Sequence, residues 1–295
     1  MALISVILPT RDRPDLLGRA VASVLGQTHT AWELIVVDDN RATPPVTAVP
    51  ALHPLLADAR IRVVRADGAE RTAGAIRNLG LAVARGAWTT FLDDDDAYRP
   101  AKLARQLAVA EAADAALVTC GYAVHLPRRT RLRQLQPRAF VGDELLWRAD
   151  WGTPFLFHRS DAGCRFDPAL AAGEDMHYAQ RFMQRHAVRH VPNCAEPLVD
   201  VYPQLGARRV HADGEMIWRA YRATARVAVG RYDRRSRRRF LAKGRLVRAQ
   251  FGHGDWAHFA RCARACLATR GWREWRLVLN AALRRLGWLR RWVVA

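Results

Sequence analysis

Cysteine is sparse in this 295-residue chain. Cys120, Cys164, Cys194, Cys262 and Cys266 are the five, and no pair has C-x-x-C spacing. So odd and scattered a set fits neither a disulfide framework nor a zinc knuckle, and it reads as reduced thiols. Long apolar runs are missing too. No stretch reaches the roughly 18–20 residues that span a bilayer. The opening MALISVILPT is too short for a secretion signal and lacks its basic start. These absences predict a cytoplasmic protein whose membrane contact, if any, is peripheral to the inner face of the membrane. The segment LPTRDRP after the first apolar run has no glycine. That argues against a nucleotidyltransferase, which would carry a glycine-rich, basic loop there.

Acidic residues are scarce at one end only. The net charge is +19, and 21 of the 47 Lys and Arg but only 4 of the 28 Asp and Glu fall in residues 215–295. The remaining chain is nearly neutral. The expected division is therefore 1–206, an ordinary globular domain, and 207–295, a helical, basic, tryptophan-rich region suited to a polyanionic partner.

What is present is alternation. Short β-branched apolar runs at 3–8, 33–37, 61–64, 88–92 and 115–124 are separated by helical patterns at 14–25, 72–85 and 100–113. Pro9 closes the first run, Asp12 caps the first helix, and 128–138 reads as a basic loop. A short helix is expected at 142–150, a strand at 154–158 and a helix at 173–186. Continuous apolar strands joined by helices indicate an α/β chain with a mostly parallel sheet covered on both faces. Ligands in such sheets bind beyond the carboxyl ends of the strands.

Two acidic clusters fall at such ends. Asp93, Asp94, Asp95 and Asp96 follow the 88–92 run, and Asp38 and Asp39 follow the 33–37 run. Four adjacent carboxylates repel one another, and a hard cation such as Mg²⁺ or Mn²⁺ relieves that repulsion. A solvated turn is the bland alternative. Asp38 or Asp39 can accept from a ribose hydroxyl or a base N–H, or cap a turn. Arg71 and Arg77 offer planar forks for phosphate or base oxygens. Glu174 and Asp175 open a helix, either as caps favoured by the dipole or as a general base.

Together and in order, ISVILPTRDRP, VASVLGQTHTAWELIVVDDN, AGAIRNLGLAVARGAWTTFLDDDDAYRPAKL and GEDMHYAQRF resemble the family 2 glycosyltransferases, inverting enzymes of the GT-A fold. The likeness covers residues 3–203. It implies a Rossmann-like GT-A domain that moves a sugar from a nucleotide-sugar donor, a UDP-sugar by default with dTDP- and GDP-sugars open. The implied acceptor is a saccharide or lipid-linked saccharide of cell-surface glycan synthesis. Pro9, Thr10 and Arg11 would line the nucleotide pocket. Asp39 would bind the base with Asp38 beside it, and Arg71 and Arg77 are both candidates for donor contact. Asp93 and Asp95 would be the outer members of a D-x-D motif. Asp95 would hold Mn²⁺ or Mg²⁺, and Asp94 would touch the donor ribose. Asp175 would be the base, with Glu174 the second candidate. Arg11 and Asp12 depart from the aromatic and Asn often found there. The Q-x-x-R-W motif of processive members is missing, which implies single additions.

Trp151 and Thr153 are candidates for an acceptor pocket, and Trp151 is equally a core residue. His211 is a candidate phosphate or metal contact from a loop. In the tail, apolar residues from Trp272 to Val293 recur at steps of three and four, opposite an arginine stripe. Such an amphipathic basic helix can lie on an anionic membrane or pack on the catalytic domain or a second subunit, and nucleic acid is the least favoured partner. A non-catalytic docking module is the rival reading from another class.

Overall fold

The first apolar run forms strand β1 (Ile4–Thr10), buried along nearly its whole length. It runs through Pro9 rather than stopping there. Odd-numbered residues of β1 face the neighbour reached through Ile7 O, which accepts from Leu92 N at 3.0 Å. Pairing on that side ends at Ile7, so the missing N–H of Pro9 breaks no ladder bond. In chain order there follow α1 (Pro14–Leu25), β2 (Trp32–Asp38), α2 (His53–Leu56), β3 (Ile61–Arg65), α3 (Ala73–Val83), β4 (Trp88–Phe91), β5 (Ala97–Tyr98) and α4 (Lys102–Ala112). Next come β6 (Leu117–Leu126), β7 (Arg129–Arg133), β8 (Phe140–Val141), α5 (Glu144–Trp147), β9 (Phe157–Arg159), α6 (Glu174–Arg185), β10 (His190–Val191) and β11 (Asn193–Val201). Helices α7 (Gly214–Val227), α8 (Arg234–Gln250) and α9 (Trp256–Leu267) complete the described part. This computed structural model describes residues 1–68, 72–147, 151–203, 213–250, 256–267, 278, 279 and 282.

The main sheet has the order β3-β2-β1-β4-β9-β6-β11-β5, with β7 also paired to β6. β3, β2, β1 and β4 are mutually parallel, as expected of βαβ units. β9 is antiparallel to both β4 and β6, so β6 runs in the same direction as β4. β11 runs with β6. The carboxyl ends of β1, β2, β4, β6 and β11 thus share one edge of the sheet.

Two cores cover the two faces. Leu17, Val21 and Val24 of α1 with Leu103 and Leu107 of α4 cover one, and Ile76 and Leu81 of α3 with Tyr178, Phe182 and Met183 of α6 cover the other. The second core also takes Tyr221, Ala225, Ala228, Tyr232 and Phe240, so α7 and α8 are packed on α6. The expected boundary at 206/207 and the candidate His211 lie outside the described residues. So does most of the stripe from Trp272 to Val293, although Val278 and Ala282 pack on a small cluster between α8 and α9.

Three local expectations are corrected. Residues 129–133 form β7, not loop, because β9 pairs only the first residues of β6 and leaves Tyr122–Leu126 to a hairpin partner. The expected strand at 154–158 begins as a 3₁₀ turn at Thr153–Phe155, with Pro154 near its start, and becomes β9 only at Phe157. Asp12 does not cap α1, whose N-terminus has no side-chain cap. It has a φ of 53°, and its carboxylate turns to another loop.

Candidate active site

The nucleotide-side candidates converge where β1 and β2 end. Asp38, the last residue of β2, accepts from Asn40 N at 2.9 Å and Val46 N at 3.0 Å and pairs with Arg65 at 2.9 Å. Its role is to shape the loop. Asp39, 2% exposed, lies between Arg41 Nε at 3.3 Å and Arg11 Nε at 3.9 Å. The same loop is latched by Asp12. One of its carboxylate oxygens accepts from Arg41 N, Ala42 N and Thr43 N at 2.7–3.0 Å, and its own N–H donates to Asn40 Oδ1 at 2.7 Å. Burial opposes ionisation of Asp12, but these bonds outweigh it and hold the carboxyl down at about 2.

The acidic turn divides into inward and outward carboxylates. Asp94 is buried, accepts from Thr10 Oγ1 at 2.9 Å and pairs with Arg13 at 3.3 Å. Burial pushes its pKa up to about 6 against the pull of Arg13 and Thr10. Asp96 also points inward, accepting from Tyr202 N at 3.0 Å. Burial, then Asp93 and Asp95, hold its carboxyl well above the usual range. Asp93 and Asp95 are the two outward members, with side chains 32% and 24% exposed. Arg77 Nη2 donates to Asp93 at 2.6 Å, Arg13 Nη1 to Asp95 at 3.2 Å, and Arg19 caps the backbone carbonyl of Asp95.

Arg77 is the link to the base candidates. It is 5% exposed, and its second amino group donates to Glu174 Oε1 at 3.0 Å. Asp93 and Glu174 are thereby gathered on one buried guanidinium. Glu174 is the first residue of α6, and Asp175, beside it, is only partly buried. Burial and then the charge of Glu174 push the Asp175 pKa up to about 7, against Met176 N–H and Arg77. A carboxylate tuned near neutrality is suited to taking a proton.

The expected site residues therefore meet along one sheet edge, with three exceptions. Arg71 lies outside the described residues. Trp151 is 4% exposed, and its indole N–H donates to Leu145 O at 3.0 Å, so the ring is core and offers no face to a sugar. Thr153 is buried with it. The sequence reading missed Arg13, Arg19 and Tyr202. The first two were visible only as basic residues around the first helix start.

Among the described residues no group of three or more His, Cys, Asp or Glu is placed to hold a metal ion by itself. The donor set nevertheless fits a hard cation. Two outward carboxylates are the ligand type that a hard divalent ion takes beside phosphate oxygens and water, and each is paired with an arginine that such an ion would displace.

The fold and this acidic edge define a class: the GT-A glycosyltransferases. Residues 5–170 match the model of glycosyl transferase family 2, and the chain belongs to that family. It is 33% identical over 189 residues to the succinoglycan biosynthesis protein ExoO of Rhizobium meliloti, 58% of this chain and 53% of that protein. It is 35% identical over 107 residues to the UDP-Glc:alpha-D-GlcNAc-diphosphoundecaprenol beta-1,3-glucosyltransferase WfgD of Escherichia coli, 36% of this chain and 40% of that one. The matches thus span about half or less of those relatives' length. Among solved structures, S. aureus TarS 1-349 in complex with UDP-GlcNAc superposes with a TM-score of 0.68 at 14% identity, covering 96% of this chain and 88% of that one. The mannosyltransferase PcManGT of Pyrobaculum calidifontis, in complex with GDP-Man and Mn²⁺, gives 0.57 at 17% identity, covering 96% and 80%.

Proposed function

We propose that this chain transfers a sugar, with inversion, from a UDP-sugar to a hydroxyl of a saccharide or lipid-linked saccharide in cell-surface glycan synthesis. The observation that carries the reading is the Arg77 bridge, which joins the D-x-D turn to the start of α6. A donor bound at Asp39 and Asp94 then has its leaving diphosphate at the outward carboxylates and its sugar facing Asp175. The succinoglycan name of ExoO, the diphosphoundecaprenol acceptor of WfgD and the UDP-GlcNAc complex of TarS support the substrate class.

Asp95, with Asp93, would hold Mn²⁺ or Mg²⁺, which when bound neutralises charge developing on the leaving diphosphate. Buried Asp39, set between two arginines, orients the base. Asp94, anchored by Thr10, accepts from the ribose. Asp175 Oδ takes the acceptor proton as the new C–O bond forms. Attack opposite the leaving group inverts the sugar carbon. Glu174, committed to Arg77, positions rather than accepts.

The location this reading implies is the inner face of a membrane. Among the described residues no helix is long and apolar enough to cross one. The test is a panel of nucleotide sugars with Mn²⁺, reading nucleotide release with and without acceptor. Release by wild type and not by Asp175→Asn supports the reading. No release or thermal stabilisation with any nucleotide sugar contradicts it.

A further inference from the structure

The hairpin of β6 and β7 rises from the same sheet edge as the acidic turn, two strand positions from β4, or roughly 10 Å at about 4.8 Å per strand. Its tip is joined to that turn by stacking. His125 of β6 accepts from or donates to Thr130 at 3.2 Å, bonds Asp200 at 2.7 Å and stacks on Tyr202 at 4.7 Å. Tyr202 in turn donates its N–H to Asp96. The base of the hairpin is fixed as well. Asn193 donates to the carbonyls of Gln134 and Gln136, both at 2.8 Å.

The hairpin's chemistry is the opposite of its neighbour's. Residues 115–142 hold five arginines and no Asp or Glu. Arg129, Arg131 and Arg133 alternate along β7 and so share one face of it. Their charges repel: burial and then Arg129 and Arg133 lower the Arg131 pKa. On the opposite face of β7 Leu132 is 53% exposed, and Leu135, just beyond the strand, is 37% exposed. A soluble phosphate does not select exposed leucines. A single-stranded nucleic acid selects aromatic platforms, and residues 126–139 contain none. Arginines on one face of a strand with exposed leucine on the other make an amphipathic segment, which seats at a lipid headgroup boundary with the leucine inward and the arginines at headgroup level.

We infer that the β6–β7 hairpin docks on an anionic bilayer, with Arg129, Arg131 and Arg133 at the headgroups and Leu132 at the interfacial plane. This goes beyond the transfer reading and fixes which edge of the protein faces the membrane. The active-site cleft then opens toward the lipid surface.

The test is co-sedimentation of the full chain with phosphatidylcholine vesicles and with vesicles containing one third phosphatidylglycerol. Wild type is expected on the anionic vesicles only. An arginine near such a surface contributes about fivefold in partitioning, so Arg129→Ala/Arg131→Ala/Arg133→Ala lowers binding on the order of 10²-fold. Leu132→Cys carrying a polarity-sensitive dye, with wild type labelled in parallel as the blank, shifts to the blue only on anionic vesicles. That reading decides alone should the triple variant unfold. Equal binding by the triple variant, equal binding to neutral vesicles, or sedimentation without a dye shift (docking through the C-terminal helices) overturns the inference. So does capture of a single-stranded oligonucleotide with no vesicle binding. A UDP-induced thermal shift, measured separately, reports on the transfer reading, so the two stand or fall apart.

Discussion

Arg77 donates to Glu174 Oε1 at 3.0 Å and so ties α3 to the first turn of α6. The two residues are 97 apart in sequence, and both are buried. Because the same guanidinium also holds Asp93, one side chain sets the spacing between the acidic turn and the start of α6.

Removing that side chain leaves two carboxylates without their partner. Arg77→Met is expected to destabilise the fold by about 3–5 kcal/mol, the cost of breaking a buried ion pair from one side. Chemical denaturation measures it. A change below about 1 kcal/mol would show the bridge to be incidental.

The neighbouring acids should separate by role. Asp175→Asn is expected to lower kcat about 10²–10⁴-fold with the fold intact. Glu174→Gln, which weakens a positioning contact, should lower the melting temperature and cost less rate. Steady-state kinetics beside thermal unfolding distinguishes the two. A reversed order of rate losses would make Glu174 the base.

Acid pH should silence the enzyme through Asp175. Burial and Glu174 raise its pKa to about 7, so kcat/KM of wild type falls tenfold per pH unit below that value. The linkage sign follows. The folded state keeps a proton that the unfolded carboxyl has already released, so this group's contribution to stability declines as pH rises from about 4 to 7. Asp175→Asn is therefore expected to raise the melting temperature at pH 8 and not at pH 4. A pH profile flat from 5 to 8 contradicts both statements.

The strand ends were legible because apolar runs of four to seven residues bounded by Asp or Pro leave little choice of element. The carboxyl-end rule then placed Asp38, Asp39 and Asp93–Asp96 on one edge. The same reading failed at Asp12, whose positive φ redirects a carboxylate that looks like a helix cap. It failed at β7 because arginines on one face with one Thr and one Leu on the other give no apolar run to mark a strand. Trp151 was ambiguous because composition does not reveal which way a ring points. Arg13 and Arg19 were invisible as site residues because their partner is about 80 residues away.

Arg13 makes its own prediction. Its guanidinium spans Asp94 and Asp95, at 3.3 and 3.2 Å, where a cation would otherwise neutralise them. Arg13→Gln is expected to tighten Mn²⁺ binding to the free protein severalfold and to weaken binding of a nucleoside diphosphate. Mn²⁺ paramagnetic resonance and calorimetry read the two separately. Shifts in the same direction would show that Arg13 does not compete with the ion.

The most direct measurement is calorimetry of UDP binding with and without Mn²⁺, on wild type and on Asp95→Ala. The proposed mechanism has the outward carboxylate hold an ion that holds the diphosphate, so Mn²⁺ should strengthen UDP binding to wild type by at least tenfold and leave Asp95→Ala unchanged. UDP affinity in wild type that is the same with and without the ion would contradict the account.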